Sequence, residues 1–210
     1  MPGLFVTFEG GEGSGKSTQI ARLAARLRAM GLDPMVAREP GGTPVGEGIR
    51  ALLLDHERRP APHTEALLMV AARAELTANV LRPALEAGRI VLCDRFGDST
   101  LAYQGGGRGL DHDLLDGWNR AATGGLVPAL TLLIDVPVRI GLDRRHRAAG
   151  ATNRLDREPV EFHERVRARY LELAAADPER WRVVDGTVAE NELEARVWEA
   201  VGPRLALTRG

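Results

Sequence analysis

Between Phe8 and Gln19 the chain reads F-E-G-G-E-G-S-G-K-S-T-Q, so Gly10, four residues, and then Gly15-Lys16-Ser17 satisfy the pattern G-x-x-x-x-G-K-[ST]. A strand-like apolar run, Leu4 to Phe8, precedes it, and an Ala/Leu/Arg helical pattern, Gln19 to Met30, follows. Strand, glycine loop and helix start together form a polyphosphate cradle. The glycines let the backbone turn tightly enough for successive N–H groups to point inward, and the helix start adds its partial positive charge. Gly10, Gly11, Glu12, Gly13, Ser14, Gly15, Lys16, Ser17 and Thr18 are the expected binders, with Lys16 reaching the outer phosphates and Ser17 able to ligate Mg²⁺.

Lys16 is the only lysine in the chain, although Lys and Arg together number 28. An arginine is a planar fork, whereas an ammonium on a flexible stem is a compact point charge that can follow a phosphate inside a tight loop. The exception predicts that Lys16 is held by chemistry, while other basic positions tolerate arginine.

With 210 residues, 44% of them hydrophobic and 27% charged, the chain suits one sizeable core, and residues 1–210 are expected to form a single domain. A net charge of −1 and an isoelectric point near 6.5 supply no basic field for nucleic acid. The opening residues run straight into a strand and no apolar run approaches a bilayer span, which predicts a cytoplasmic protein with no membrane partner. Cys93, the single cysteine, sits in an apolar run and reads as a small buried hydrophobe, so a metal has to arrive with the nucleotide.

Strand-like runs recur at Leu4 to Phe8, Pro34 to Ala37, Arg89 to Cys93, Leu130 to Ile134 and Arg182 to Val184, with helical patterns between them. Such alternation predicts an α/β fold, a five-stranded parallel sheet with helices on both faces and a site at the carboxyl ends of the strands. Residues directly after each strand are therefore the informative ones. Arg38 and Glu39 follow the second, and Glu39-Pro40 is a candidate cis bond. Asp94 and Arg95 follow the third; a carboxylate there suits the Mg²⁺ shell and a guanidinium can brace a phosphate. Asp135 competes for the metal role, but it precedes Val136-Pro137 and reads more simply as a helix N-cap. Thr64 to Ala87 reads as one long helix bent by Pro83, on which Met69 and Arg73 share a face; spacing alone favours an Arg73 that snorkels to solvent. The residues from Asp98 to Gln104 offer hydroxyls, an amide and a ring able to read a base and sugar.

From Arg139 to Arg157 lie arginines at 139, 144, 145, 147, 154 and 157, around Ala148-Ala149-Gly150-Ala151, which reads as a mobile tip. Arg139 suits a solvated helix face. The others suit a lid over about 141–158, from which an arginine can stabilise charge on a transferred phosphoryl group.

Taken together, the glycine loop, R-E-P-G-G-T at Arg38, A-A-R at Ala71, D-R-F at Asp94, S-T-x-A-Y-Q-G-G-G-R-G from Ser99, and an Arg-rich lid running into R-A-R-Y-L-E-L-A at Arg167 closely resemble bacterial thymidylate kinase over nearly the whole chain. The resemblance implies a P-loop nucleoside-monophosphate-kinase fold with a helical lid, which moves the γ-phosphoryl of Mg-ATP to dTMP, usually as a homodimer. It implies that Arg73 and Gln104 hydrogen-bond thymine, that Thr100 contacts the base, and that Tyr103 crowds a ribose 2′-hydroxyl. Glu39 would line the sugar and phosphate region, Arg50 and Arg95 would hold the dTMP phosphate, and Glu9, Ser17 and Asp94 would surround Mg²⁺. Where the family usually has a phenylalanine stacked on thymine, this chain has Met69. Because the loop lacks arginine, the resemblance points to the lid-type arrangement, with Arg157 the first catalytic candidate and Arg154 and Arg144 the next.

A kinase for another monophosphate or a small acid would share the loop and lid but not the A-A-R and T-x-A-Y-Q set. A nucleotide switch would match Asp94-Arg95-Phe96-Gly97 as D-x-x-G, but its guanine-reading N-K-x-D needs a second lysine.

Overall fold

The computed structural model describes residues 3–148 and 153–207. Strand β1 (Leu4–Glu9) feeds the glycine loop and helix α1 (Lys16–Ala29), and β2 (Met35–Arg38) feeds α2 (Pro44–Leu54) and α3 (Pro62–Leu76). A π-helical turn, Thr77–Leu81, joins α3 to α4 (Arg82–Glu86). Strand β3 (Ile90–Asp94) is followed by α5 (Gly97–Thr100), a π-helical segment Leu101–Gly107 and α6 (His112–Thr123). Strand β4 (Leu130–Asp135) leads to α7 (Val138–Arg147), a 3₁₀ turn Leu155–Arg157 and α8 (Val160–Ala176); β5 (Trp181–Asp185) leads to α9 (Glu190–Leu207).

The strands form one sheet in the order β2-β3-β1-β4-β5, and every pairing is parallel. The five expected strands are all present, each within about two residues of its expected ends. All six residues of β1 are buried, which is why its run is apolar without alternation: helices cover both faces. Leu4, Val6 and Phe8 pack with Leu23 and Leu27 of α1 and Val197 and Val201 of α9. Across the sheet, Phe5 packs with Leu76, Leu81 and Phe96, while Leu133 joins Phe162, Val166 and Tyr170 of α8. The Thr7 hydroxyl meets that of Thr131 at 3.0 Å, so the one polar side chain in the middle of β1 is satisfied inside the sheet.

Two expectations about helices change. The stretch after Pro62 is helical through Glu86, but a widened π turn just ahead of Pro83 accommodates the missing N–H. Asp135 is no N-cap: α7 begins after Pro137 without a side-chain cap, and both Asp135 oxygens accept from Arg167, at 2.7 and 2.8 Å. Cys93 is fully buried as expected, and its thiol donates to the Arg95 carbonyl oxygen. Glu39-Pro40 is cis.

Candidate active site

A cavity of about 580 Å³ opens at the carboxyl ends of β1, β2 and β3, and it contains two different kinds of wall. At one end lies the glycine loop. Gly10 and Gly13 have φ of 138° and 63°, which a side chain resists, and a Cβ on Gly13 would collide with the Gly141 carbonyl oxygen of α7. Loop and α7 thus touch backbone to backbone. Helix α1 starts at Gly15 with no side-chain cap and no acidic residue in its first turn, leaving its N–H groups directed at the cavity. Lys16 is 7% exposed, and its ammonium donates to the carbonyls of Gly10 at 3.0 Å and Gly11 at 2.9 Å and to Ser14 Oγ at 3.2 Å. Burial, with the Arg95 charge nearby, brings its pKa down to about 8.

Beside the loop, Ser17 Oγ donates to Asp94 Oδ2 at 2.8 Å. A hydroxyl and one carboxylate suit a hard cation that takes its remaining ligands from water and phosphate. The described residues contain no cluster of three or more His, Cys, Asp or Glu placed to hold a metal ion. Glu9 does not join the pair. Its Oε1 accepts from the Phe96 amide at 2.8 Å and its Oε2 from Ser99 Oγ at 2.6 Å and Tyr170 OH at 2.7 Å, so protein donors occupy both oxygens. Burial, with Asp98 adding to it, pushes this carboxyl up to about 7. The expectation that Glu9 surrounds a metal ion is therefore replaced by an internal hydrogen-bonding role beneath the site.

Arg95 stands between the two ends. Its φ of 72° is rare for a residue with a side chain and marks a strained, functional corner. The guanidinium donates to Glu12 Oε1 at 3.1 Å, Tyr103 OH at 2.9 Å and Tyr170 OH at 3.1 Å, and lies 4.7 Å from the centroid of the Tyr103 ring. Glu12, a glycine-loop residue, also takes the Tyr103 hydroxyl at 2.8 Å. Arg50 reaches the same cavity and donates to the Pro40 carbonyl at 2.8 Å.

The far wall is built from Glu39, Met69, Arg73, Thr100 and Gln104. Arg73 does not snorkel: it is 1% exposed. Nε and Nη2 donate to Glu39 Oε2 at 2.9 and 2.6 Å, Nη2 also to the Phe96 carbonyl at 3.0 Å, and Nη1 to Thr100 Oγ1 at 2.9 Å and Asn119 Oδ1 at 2.5 Å. A guanidinium has five N–H groups, and all are engaged by the protein. Arg73 thus lines the cavity while holding Thr100 and Glu39 in place, which corrects the expectation of a direct hydrogen bond from it to the base. Among the described residues Glu39 Oε1 is buried with no protein partner, and burial outweighs the Arg73 charge to raise its pKa. Met69 is half-buried against the cluster containing Tyr103 and Phe162.

The lid arginines separate. Arg144 and Arg145 line the cavity; Arg144 donates to the Gly186 carbonyl at 2.8 Å, and Arg145 pairs with Asp156 at 3.0 Å. Arg154, expected near the chemistry, is 3% exposed and pairs with Glu65 at 2.6 Å, away from the cavity wall. Arg157 is exposed and does not line the cavity. Of the anticipated tip, residues 149–152 lie outside the described residues.

Several contributors escaped sequence reasoning. Glu65 and Asn119 carry no motif; Asp156 lies in the Arg-rich stretch and Tyr170 in R-A-R-Y-L-E-L-A, where its place in the α8 stripe with Phe162 and Val166 was a signal of burial but not of its partners.

A sequence model of the family described as thymidylate kinase matches residues 8–197. A protein of Thermomicrobium roseum named thymidylate kinase is 58% identical over 197 residues, covering 94% of this chain and 93% of its own. One of Deinococcus radiodurans with the same name is 52% identical over 202 residues, covering 96% and 98%. The crystal structure of thymidylate kinase from Ehrlichia chaffeensis superposes with a TM-score of 0.77 at 32% identity, covering 96% of this chain and 99% of that one.

Proposed function

This chain belongs to the thymidylate kinase family and is an ATP-using enzyme that phosphorylates dTMP; from that premise we propose how its residues divide the work. The observation that supports the division is one continuous cavity, with the glycine loop at one end and a buried polar wall at the other.

Gly10 to Thr18 receive the ATP phosphates through backbone N–H groups, and Lys16 leaves its carbonyl partners to follow the outer phosphates. Ser17 and Asp94 would hold Mg²⁺, which would supply positive charge against the phosphates. Arg50 and Arg95 grip the dTMP phosphate and bring one of its oxygens in line with the γ-phosphorus. That oxygen forms the new P–O bond as the bond to the ADP oxygen breaks. Arg95 faces the moving group, and Glu12 and the Tyr103 ring keep its guanidinium aimed there. Arg144 and Arg145 supply positive charge from the lid side; their place on the cavity wall favours them over Arg154 and Arg157 for that role. At the far wall, Thr100 and Gln104 contact thymine, and Tyr103 closes the space a ribose 2′-hydroxyl would need.

The whole of 1–210 acts as one kinase domain with its lid over about 141–158. The functional unit is a homodimer in the cytoplasm; no helix of the described residues is long and apolar enough to cross a membrane. Exposed Leu67 of α3 and Leu114 of α6, on helices joined by the His63–Trp118 ring contact, support a paired surface. Sedimentation equilibrium checks the dimer. A coupled ADP-release assay across dTMP, UMP, CMP, AMP and shikimate checks the substrate: turnover with dTMP far above the rest is the expected result, and comparable turnover with another acceptor overturns the reading.

A further inference from the structure

Gln104 is 1% exposed and lies on the cavity wall, and its Nε2 donates at 2.8 Å to Oε1 of Glu65, a residue behind the wall and also 1% exposed. Glu65 accepts as well from Arg108 Nε at 3.2 Å and Nη2 at 3.1 Å, and from Arg154 Nη2 at 2.6 Å. Burial opposes the charge on this carboxyl, but the hydrogen bonds from Arg108, Gln104 and Arg154 outweigh it and keep the group below its ordinary pKa. An ionised carboxylate only accepts. A carboxamide facing it must present its NH₂ group, so the carbonyl oxygen of Gln104 is the end left for the cavity. Among the described residues no protein hydrogen bond is recorded for that oxygen.

Thr100 is constrained in the same manner. Its Oγ1 accepts from Arg73, whose N–H groups are all committed, so the Thr100 hydroxyl hydrogen is free to donate. The base wall then shows an acceptor at Gln104 and a donor at Thr100. Thymine carries the complement, an N3–H donor beside a C4 carbonyl acceptor. Cytosine carries the reverse, an N3 acceptor beside an amino group.

We propose that Glu65 is a positioning residue that sets base specificity: by locking the Gln104 carboxamide with its carbonyl toward the cavity, it admits the imide edge of thymine and rejects the amidine edge of cytosine. The proposal rests on the dTMP reading above and deepens it. In Glu65→Gln the new carboxamide can donate to Gln104 in turn, which frees the Gln104 amide to rotate and offer its NH₂ group to cytosine N3.

The test compares kcat/KM for dTMP with kcat/KM for dCMP in wild type, Glu65→Gln and Glu65→Asp. Both variants also loosen Arg108 and Arg154, but any loss of turnover from that packing change is common to both nucleotides and cancels in the ratio. The expected result is a dTMP-to-dCMP ratio that falls about tenfold or more in Glu65→Gln, the scale of one mismatched buried hydrogen bond, and stays near the wild-type value in Glu65→Asp, which still only accepts. An unchanged ratio in Glu65→Gln, or an equal fall in both variants, overturns the proposal while leaving the substrate assignment intact. Wild type that prefers dCMP overturns the substrate assignment and the proposal together. Should Glu65→Gln fail to fold, the Gln104 side-chain amide resonance of wild type, assigned by its loss in Gln104→Leu, decides. Slow exchange before nucleotide is added and little shift at dTMP saturation support the lock; a large shift on dTMP binding means that the NH₂ group faces the base, and sinks it.

Discussion

The two ends of the cavity are made by opposite strategies. The glycine loop is a dozen consecutive residues that face the cavity mostly with backbone, with Lys16 as its one cation. The base wall draws on side chains brought together from far along the chain: Arg73 meets Glu39, Thr100 and Asn119 across separations of 34, 27 and 46 residues. A local device of the first kind can lose its function without losing the fold. A buried charge network cannot, because each partner removed strands another in low dielectric.

That contrast is sharpest in Arg73→Met. It leaves the Glu39 carboxylate buried without the cation paired with it, and stability is expected to fall by about 3–5 kcal/mol, which lowers the melting temperature by on the order of 10 °C. Adding Glu39→Gln should recover part of the loss. A melting temperature unmoved by Arg73→Met would erase the distinction between the two ends.

Lys16→Arg is expected to do the reverse, cutting kcat by about 10²–10³-fold, roughly 2.7–4 kcal/mol of barrier, while the melting curve stays put. Retention of more than about a tenth of wild-type turnover, a loss under roughly 1.4 kcal/mol, would mean that the loop accepts any cation. Gly13→Ala probes whether the loop is as self-contained as its sequence suggests. The added methyl meets the Gly141 carbonyl and must take a positive φ, so about 1–3 kcal/mol of stability should be lost, measured by urea midpoint, together with activity as α7 is pushed back.

Glu9 lies under both ends. Its folded value of about 7 lies above the ordinary 4.5, so between those pH values the folded chain binds more protons than the unfolded one. Stability from this group is therefore complete below about pH 4.5 and declines as pH rises toward 7. Glu9→Gln should flatten that decline in urea titrations by up to one proton, at most about 1.4 kcal/mol per pH unit. Identical slopes in the two proteins would show that the Glu9 site is better solvated than its burial implies. The smallest effect belongs to Arg157→Ala: an exposed side chain off the cavity wall should change kcat less than threefold on the scale of a surface substitution, and less than Arg144→Ala does. A larger loss at Arg157 would return the lid role to it.

The strands and the glycine loop were legible because each is encoded locally, as apolar runs and as fixed spacing within one turn, whereas the order of the strands in the sheet was not. Of the far wall, the hydroxyls and amide between Asp98 and Gln104 were legible as side-chain chemistry, but the network around Arg73 was not. Helical spacing put Arg73 at the edge of an apolar stripe, where solvent is the default partner, and nothing nearby in sequence announces Glu39 or Asn119 as its acceptors. Asp135 was misread for the same reason: a prolyl helix start beside it suggested a cap, while its real partner, Arg167, comes 32 residues later. Glu9 fitted a metal shell by position, and only the convergence of Phe96, Ser99 and Tyr170 on its two oxygens shows them occupied.

Having a single lysine makes the protein unusually simple to interrogate chemically. Its one side-chain amine lies in the glycine loop, 7% exposed and with a pKa near 8, so at mildly alkaline pH a substantial fraction is the free, acylatable form. An activated ester or aldehyde small enough to enter has no competing lysine on the surface, and peptide mapping separates the Lys16 increment from that of the α-amine, which titrates in the same range. Protection by added nucleotide then reads occupancy directly, giving a covalent count of working sites that is independent of turnover.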